Sequence, residues 1–208
     1  MKPVTHRPTT SRSIAIARVA LGTAVIGILF YTYVIGIPAQ GASPLDYFGY
    51  FTNLTSLLTG VLLITTGAQA LGNRETPTAM HAARGIAVAC MIIVAAIYNL
   101  VVPGTGSAPV WVSATLHLVL PVLLVLDWAL IADRPPLPWR WIWLVLPYPL
   151  LWLTVTLLRG ATDGWVPYGF LLPDRGPAQL SMTVLALLVA LLLAAVLTWT
   201  LSRLPARR

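Results

Sequence analysis

Six apolar segments, separated by proline, glycine and charged residues, dominate this sequence. Each is long enough to cross a bilayer, which takes about 20 predominantly apolar residues of α-helix. Backbone amides in lipid must be satisfied within their own segment, so helices are the expected spanning form. The predicted spans are residues 13–36, 45–71, 80–102, 109–131, 139–158 and 177–202. The sequence therefore predicts an all-α, polytopic membrane protein with six transmembrane helices.

The composition agrees with this class of protein. Of the 208 residues, 58% are hydrophobic and only 9% are charged, whereas soluble domains usually carry about 25% charged residues. Residues 185–190 lack the alternation that is typical of a membrane β-barrel strand. We expect one transmembrane domain over residues 13–202, flanked by basic tails at 1–12 and 203–208.

The basic residues are unevenly distributed among the predicted loops and tails. Eleven of the 13 Lys and Arg residues fall on one side of the membrane, and only Arg159 and Arg175 fall on the other. The positive-inside rule then places both termini in the cytoplasm. The same bias accounts for the net charge of +7. Because no basic face with interleaved aromatic residues is present, we expect no nucleic-acid partner.

The second predicted span carries a stripe of hydroxyl side chains. Thr52, Thr55, Ser56 and Thr59 recur at helical spacing, which aligns them on one face, and Asn53 lies beside that face. Such hydroxyls commonly bond to their own backbone or pack against a neighbouring helix. The stripe alone therefore fits helix packing better than a functional site.

The fourth predicted span contains His117, the only histidine inside a span. A neutral imidazole at this position can accept a proton. Pro121, four residues later, has no amide hydrogen, so it leaves the His117 carbonyl without its helical donor and favours a kink there. His117 thus fits either a general base or a structural hydrogen bond to a neighbouring helix.

Thr52 and His117 are expected at the same depth in the membrane. Each lies eight residues after the proline that starts its span on the outer side, or about 12 Å along a helix. Asn99 and Arg159 end the third and fifth spans on that side. The outer half of the bundle is therefore predicted to be the polar half.

Several segments together resemble a known family. They are residues 50–54, 116–121 with 127–128, 159–160 and 164–168. Over most of the chain the sequence resembles the bacterial proline-rich branch of the androgen-induced-protein-like six-helix integral membrane family. Its animal relatives are intramembrane threonine hydrolases that cleave fatty acid esters of hydroxy fatty acids. They use a threonine at the start of the second conserved helix and a histidine on a later helix.

The resemblance implies that Thr52 is the nucleophile and His117 the general base of an ester hydrolase. It also implies a multi-pass protein of the bacterial cytoplasmic (inner) membrane whose partner is a membrane lipid or acyl-ester substrate. A hydroxyl nucleophile needs a base within reach, and the oxyanion needs hydrogen-bond donors. Asn53 and Asn99 are the candidate donors. We expect no cofactor.

Arg159 has two interpretations. It can bind a substrate carboxylate through a bidentate pair, or it can anchor the helix end by pairing with Asp163 or lipid head groups. We expect no metal site, because His117 has no His, Cys or acidic partner at ligand spacing.

Two other functions remain open. Asp127 lies about 15 Å beyond His117 along the helix, and a proton-linked transporter would use both residues as a relay. We interpret Asp127 instead as a cytoplasmic-side residue paired with Arg84 or Arg140, since no internal repeat of two halves is evident. The third possibility is a non-enzymatic lipid-binding scaffold in which Thr52 and His117 only bond to each other.

Overall fold

The computed structural model describes residues 10–41, 43–131 and 133–204, without the side chains of residues 37–40. The predicted basic tails therefore lie largely outside the described residues. Within the described part, the regular elements are all helical and no β-strand occurs. Six helical segments are long and apolar enough to cross a membrane. The prediction of an all-α fold with six spans is confirmed.

The first three spans contain four helices. They are α1 (Arg12–Gln40), α2 (Pro44–Gly49), α3 (Phe51–Leu71) and α4 (Thr78–Leu100). The second predicted span is split, because Tyr50 has an extended backbone (φ −67°, ψ 127°) between α2 and α3. The Ser43 side chain caps α2 by accepting a hydrogen bond from the Asp46 amide at 3.2 Å. The break makes α3 begin just before Thr52.

The last three spans contain two irregular segments. The fourth span consists of α5 (Val110–Ala114), a π-helical turn (Thr115–Val119) and α6 (Leu120–Leu130). The fifth begins as a 3₁₀-helix (Trp139–Val145) and continues as α7 (Pro147–Thr162). Two short 3₁₀ turns (Gly169–Leu171 and Pro173–Arg175) lead to α8 (Pro177–Leu201). The fifth span changes helix type at Pro147, because a proline is tolerated in the first turn of a helix but not in its interior.

Helices α1 and α3 pack with almost no side chain between their backbones. A Cβ atom on Gly22 would lie 2.5 Å from the Gly60 carbonyl oxygen, and one on Gly67 would lie 2.7 Å from the Ala15 carbonyl oxygen. Small residues at seven-residue spacing allow this approach, as is common between membrane helices. The contact fixes α1 against the helix that carries Thr52.

Helix α4 occupies the centre of the bundle and contacts α3, α6 and α8. Two fully buried tryptophans fill the space beside it. Trp128 donates its indole hydrogen to the Thr198 carbonyl at 2.8 Å, and Trp199 donates to the Pro138 carbonyl at 3.0 Å. Buried indole groups need such partners, and these two join α8 to the fourth and fifth spans.

Four charged side chains form a buried group at one end of the bundle: Arg18, Arg84, Asp127 and Asp133. We call this group the Arg–Asp cluster. Asp127 accepts hydrogen bonds from Arg18 Nε and Arg84 Nη2, both at 2.9 Å. Asp133 pairs with the same two arginines, with Arg84 Nη1 at 3.2 Å. The predicted pairing of Asp127 with Arg84 is confirmed, and Arg18 is an unpredicted second partner.

The two ends of the described chain lie at the Arg–Asp cluster. Thr10 donates to Asp133 at 2.9 Å, and Arg134 donates to the Ser202 carbonyl at 3.2 Å. An even number of spans places both ends on one side, and these contacts agree with that arrangement. The assignment of this side to the cytoplasm stays a prediction from the positive-inside rule.

The outer surface of the bundle is rich in large apolar side chains. Phe30, Leu151 and Leu193 are each between 65% and 69% exposed. Monomeric soluble proteins rarely expose such continuous apolar surface. This surface, together with six spanning helices, is that of an integral multi-pass membrane protein.

Candidate functional site

A cavity of about 410 Å³ lies in the half of the bundle opposite the Arg–Asp cluster. Its volume is within the range of about 300 to 1,000 Å³ that small-molecule sites occupy. Its wall is mostly aliphatic and aromatic, and the Thr52 and His117 side chains both line it. The two residues that the sequence singled out are therefore brought to one cavity from different spans.

Thr52 is the second residue of α3 and is buried, with 8% of its surface exposed. The first amide groups of a helix have no acceptor within the helix, and they carry the positive end of its dipole. The split at Tyr50 places this amide-rich end beside the cavity instead of continuing α2 through it. Thr52 thus combines a hydroxyl group with an electropositive backbone.

Tyr168 reaches the same point from the segment between α7 and α8. It lines the cavity together with Thr52. Its ring stacks on Phe170 at 5.2 Å and meets the Tyr50 ring edge-on at 5.9 Å. Burial raises the pKa of Tyr168 to about 12, so the hydroxyl keeps its proton at neutral pH.

His117 lies in the middle of the π-helical turn. Its Nδ1 is 2.9 Å from the Ser113 carbonyl oxygen. A carbonyl can only accept, so Nδ1 carries the hydrogen and, in the neutral ring, Nε2 keeps a free lone pair. The Tyr98 ring stacks on the imidazole with centroids 3.6 Å apart and planes 15° apart. These contacts fix both the tautomer and the orientation expected of a general base.

The carbonyl of His117 receives a new donor. Asn99 Nδ2 donates to it at 3.0 Å, in place of the amide that Pro121 lacks. The π turn shifts the local pairing, so that the Leu120 amide bonds to the Thr115 carbonyl. Isolated π turns are frequent at functional sites. The carbonyl that Pro121 was predicted to leave free is therefore bound by α4.

The two asparagines already donate to backbone carbonyls. Asn53 lines the cavity, yet its Nδ2 donates to the Tyr47 carbonyl at 2.9 Å and so ties α3 to α2. Asn99 donates to the Ala95 and His117 carbonyls at 2.8 and 3.0 Å. Asn53 keeps a second Nδ2 hydrogen with which it could serve as the predicted oxyanion donor, whereas both Nδ2 hydrogens of Asn99 are bound. In this arrangement Asn99 positions His117.

Arg159 is held by two carboxylates and an indole ring near the end of α7. Its guanidinium pairs with Asp46 and Asp163, each at 2.8 Å, and lies 4.2 Å from the ring centre of Trp165. The Trp165 amide and Arg159 lower the pKa of Asp163. Trp165 in turn covers Gly49, where a Cβ would lie 2.3 Å from the indole. The predicted pairing of Arg159 with Asp163 is confirmed, and its roles as an interfacial anchor and as a ligand of a substrate carboxylate stay predictions.

The remaining hydroxyls of the α3 stripe face the interior of the bundle. Thr55, Ser56 and Thr59 are at most 2% exposed, and the Thr55 and Tyr148 hydroxyls lie 2.7 Å apart. Thr55 therefore joins α3 to α7, whereas the buried Ser56 and Thr59 hydroxyls have no hydrogen-bond partner among the described residues. Among the residues that the structure describes, no group of three His, Cys, Asp or Glu side chains is close enough to hold a metal ion.

Comparisons with protein families, with curated proteins and with solved structures find no match for this chain. The class of the protein therefore rests on its own fold and cavity. It is an α-helical integral membrane protein with six spans. Its cavity contains a threonine at a helix N-terminus and a histidine on a π turn.

Proposed function

We propose that the protein is an intramembrane threonine hydrolase that cleaves lipid esters such as fatty acid esters of hydroxy fatty acids. Thr52 is the nucleophile and His117 the general base. One observation carries this proposal: both side chains line the same apolar cavity although they come from different spans. Membership of the androgen-induced-protein-like family, a bacterial inner-membrane location and cytoplasmic termini belong to the same proposal.

The proposed reaction has two halves. His117 Nε2 takes the proton from the Thr52 hydroxyl as its oxygen attacks the acyl carbonyl, and the same proton then leaves with the alcohol. This step leaves an acyl-threonine and a neutral histidine. In the second half His117 removes a proton from water, which attacks the acyl-threonine. The products are a fatty acid and the free Thr52 hydroxyl, so one ester bond and one water molecule are consumed.

The wall of the cavity suits an acyl chain. Ile93, Ile97, Leu187 and Leu188 contribute aliphatic surface, and Trp152 contributes an aromatic face. Burial of each methylene group on such a surface is worth about 0.8 kcal/mol. An acyl chain bound there would bring its ester group to the polar end of the cavity, near Thr52 and His117.

The proton-linked transporter has less support. A relay needs a carboxylate that exchanges its proton, whereas Asp127 is held between Arg18 and Arg84. Both carboxylate oxygens of Asp127 accept hydrogen bonds from these two arginines. Asp127 therefore fits a structural role better than a transport role.

The proposed function is tested by ester hydrolysis with the purified protein in detergent. The substrates are p-nitrophenyl octanoate and a palmitic acid ester of hydroxystearic acid. We expect Thr52→Ala and His117→Ala to lower kcat by at least about a thousandfold, and Thr52→Ser to retain measurable activity. Thr65→Ala is the matched control, since Thr65 lies on the exposed face of α3 and bonds back to the Val61 carbonyl. Activity of Thr52→Ala equal to that of the wild type would contradict the proposal.

A further inference from the structure

A second, much smaller cavity lies between α3, α4 and α6, next to the Arg–Asp cluster. Its volume is about 20 Å³, and its wall includes Thr59 of α3, Arg84 of α4 and Asp127 of α6 together with Trp128 and several aliphatic side chains. A water molecule needs about 10 to 15 Å³ of such space. The cavity therefore has room for one water molecule and is too small for an organic ligand.

The Thr59 hydroxyl lacks a protein partner although it is deeply buried. Only 1% of the Thr59 surface is exposed, and its Oγ1 has no hydrogen-bond partner among the described residues. Further along the same helix, Thr65 and Thr66 donate to the Val61 and Leu62 carbonyls at 2.6 and 2.7 Å. Thr59 does not form this common bond to its own helix. An unpaired hydroxyl inside a membrane protein is costly, so the position of Thr59 on a polar cavity indicates a partner within that cavity.

We infer that the small cavity binds one water molecule, which links Thr59 to Asp127 and Arg84 of the Arg–Asp cluster. The water accepts hydrogen bonds from the Thr59 hydroxyl and the Arg84 guanidinium, and it donates to the Asp127 carboxylate. This site is independent of the proposed hydrolase activity, because it lies at the other end of the bundle from Thr52 and His117.

The Arg–Asp cluster retains the bonding capacity that this water needs. Asp127 accepts two hydrogen bonds from Arg18 and one from Arg84, whereas the two oxygens of a carboxylate can accept about four. Arg84 donates to Asp127 and Asp133, and a guanidinium has further N–H groups beyond these two. With the Thr59 hydroxyl, the water has three partners, about the usual number for a buried water molecule.

The charges around the cavity favour a neutral occupant. The two arginines of the cluster balance its two aspartates. A cation in the cavity would lie beside the Arg84 guanidinium, and an anion would lie beside the Asp127 carboxylate. Like charges repel strongly where bulk water is excluded. Water is neutral and can both donate and accept, so it satisfies the donors and the acceptor together.

The water extends the cluster to another helix. The ion pairs of Asp127 link α1, α4 and α6, and the water adds α3 through Thr59. A water-mediated hydrogen bond is nearly as favourable in enthalpy as a direct one. The bound water therefore helps to hold α3 against the rest of the bundle.

The first test compares the melting temperatures of Thr59→Val and the wild type in detergent. Valine keeps the shape of threonine and removes the hydroxyl, so the water loses a partner and the link to α3 is broken. We expect the melting temperature to fall by about 2 to 4 °C. Thr66→Val is the matched control, because Thr66 is also 1% exposed in α3 but bonds to its own helix. Its melting temperature should change by less than about 1 °C.

The sign of the shift distinguishes a hydrated cavity from a dry one. In a dry cavity, Thr59→Val removes an unpaired buried hydroxyl, and the melting temperature should rise. A rise in Thr59→Val, or a melting temperature equal to that of Thr66→Val, would overturn the inference.

The second test needs no variant. A crystallographic or cryo-EM map of the wild-type protein that resolves ordered water should show a single peak in the small cavity. We expect this peak within about 3.2 Å of Thr59 Oγ1 and of a polar atom of Asp127 or Arg84. An empty cavity in such a map, or a peak that contacts only apolar atoms, would overturn the inference.

Discussion

The orientation of His117 depends on neighbours from two helices. Ser113 accepts from its Nδ1 within the same span, whereas Tyr98 and Asn99 approach from the end of α4. A histidine bonded only to its own helix would leave the ring free to change rotamer. The contacts from α4 therefore make Tyr98 and Asn99 the residues that position His117, the proposed base.

Replacement of Asn99 tests this positioning. Asn99→Leu keeps the approximate volume of the side chain but removes the donor to the His117 carbonyl. We expect kcat for p-nitrophenyl octanoate to fall about tenfold, with a smaller change in KM, because a misplaced base affects the chemical step. A wild-type kcat in Asn99→Leu would contradict the positioning role.

Asp133 makes the stability of the protein depend on pH. Burial alone would raise the pKa of Asp133, but Arg84 and Arg18 outweigh it and hold the pKa well below the ordinary value of 3.8. A lowered pKa in the folded state means that the stabilisation is fully present above the unfolded value. It is lost as the pH falls toward the folded value. We expect the melting temperature in detergent to decline below about pH 4, and Asp133→Asn to weaken that decline. A decline of the same size in Asp133→Asn would assign it to other carboxylates.

At the scale of elements, the contact between α1 and α3 is the closest between two spans. Gly22→Ala would place a Cβ 2.5 Å from the Gly60 carbonyl oxygen, so the two helices must separate. We expect this single methyl group to lower the melting temperature by several degrees, since overpacking costs about 1 to 3 kcal/mol. Gly27→Ala is the control in the same helix, because a Cβ there meets nothing within 4 Å. Equal melting temperatures of the two variants would contradict the close packing.

The elements differ in how far the sequence could predict them. The lengths of the apolar segments predicted the six spans. Pro121 predicted a helical irregularity at His117, where the structure has a π turn. The break at Tyr50 escaped prediction because residues 45–71 read as one apolar run. Tyr168 was assigned only to the outer loop, and Arg18 only to the basic side. Their partners, Tyr50 and Asp127, lie far away in the chain, and periodicity within one segment carries no information about such contacts.

At the scale of the whole molecule, the two ends of the bundle differ in structure: one contains buried ion pairs and the other a cavity. The Arg–Asp cluster ties α1, α4 and α6 together at the end where both chain ends lie. The opposite end holds the cavity that Thr52 and His117 line. Ion pairs thus cross-link the helices at one end of the bundle, and the other end contains a cavity large enough for a ligand.

The predicted orientation of the molecule can be tested with single cysteines. The native Cys90 is buried, so it should not react with a membrane-impermeant maleimide. Asp174→Cys lies in the exposed segment before α8 and should be labelled in intact bacterial cells. Glu75→Cys lies between α3 and α4, on the predicted cytoplasmic side, and should be labelled only after permeabilisation. Removal of its acidic side chain should not change the topology, because acidic residues contribute little to it. The reverse labelling pattern would place both termini outside.

The central claim, that Thr52 is a nucleophile activated by His117, is tested most directly by mapping a covalent adduct. The purified protein is treated with a fluorophosphonate probe, digested and sequenced by mass spectrometry. We expect the adduct on Thr52 in the wild type and its loss in His117→Ala, since an unactivated threonine hydroxyl is a poor nucleophile. An adduct on another residue, or equal labelling of Thr52 in His117→Ala, would contradict the claim.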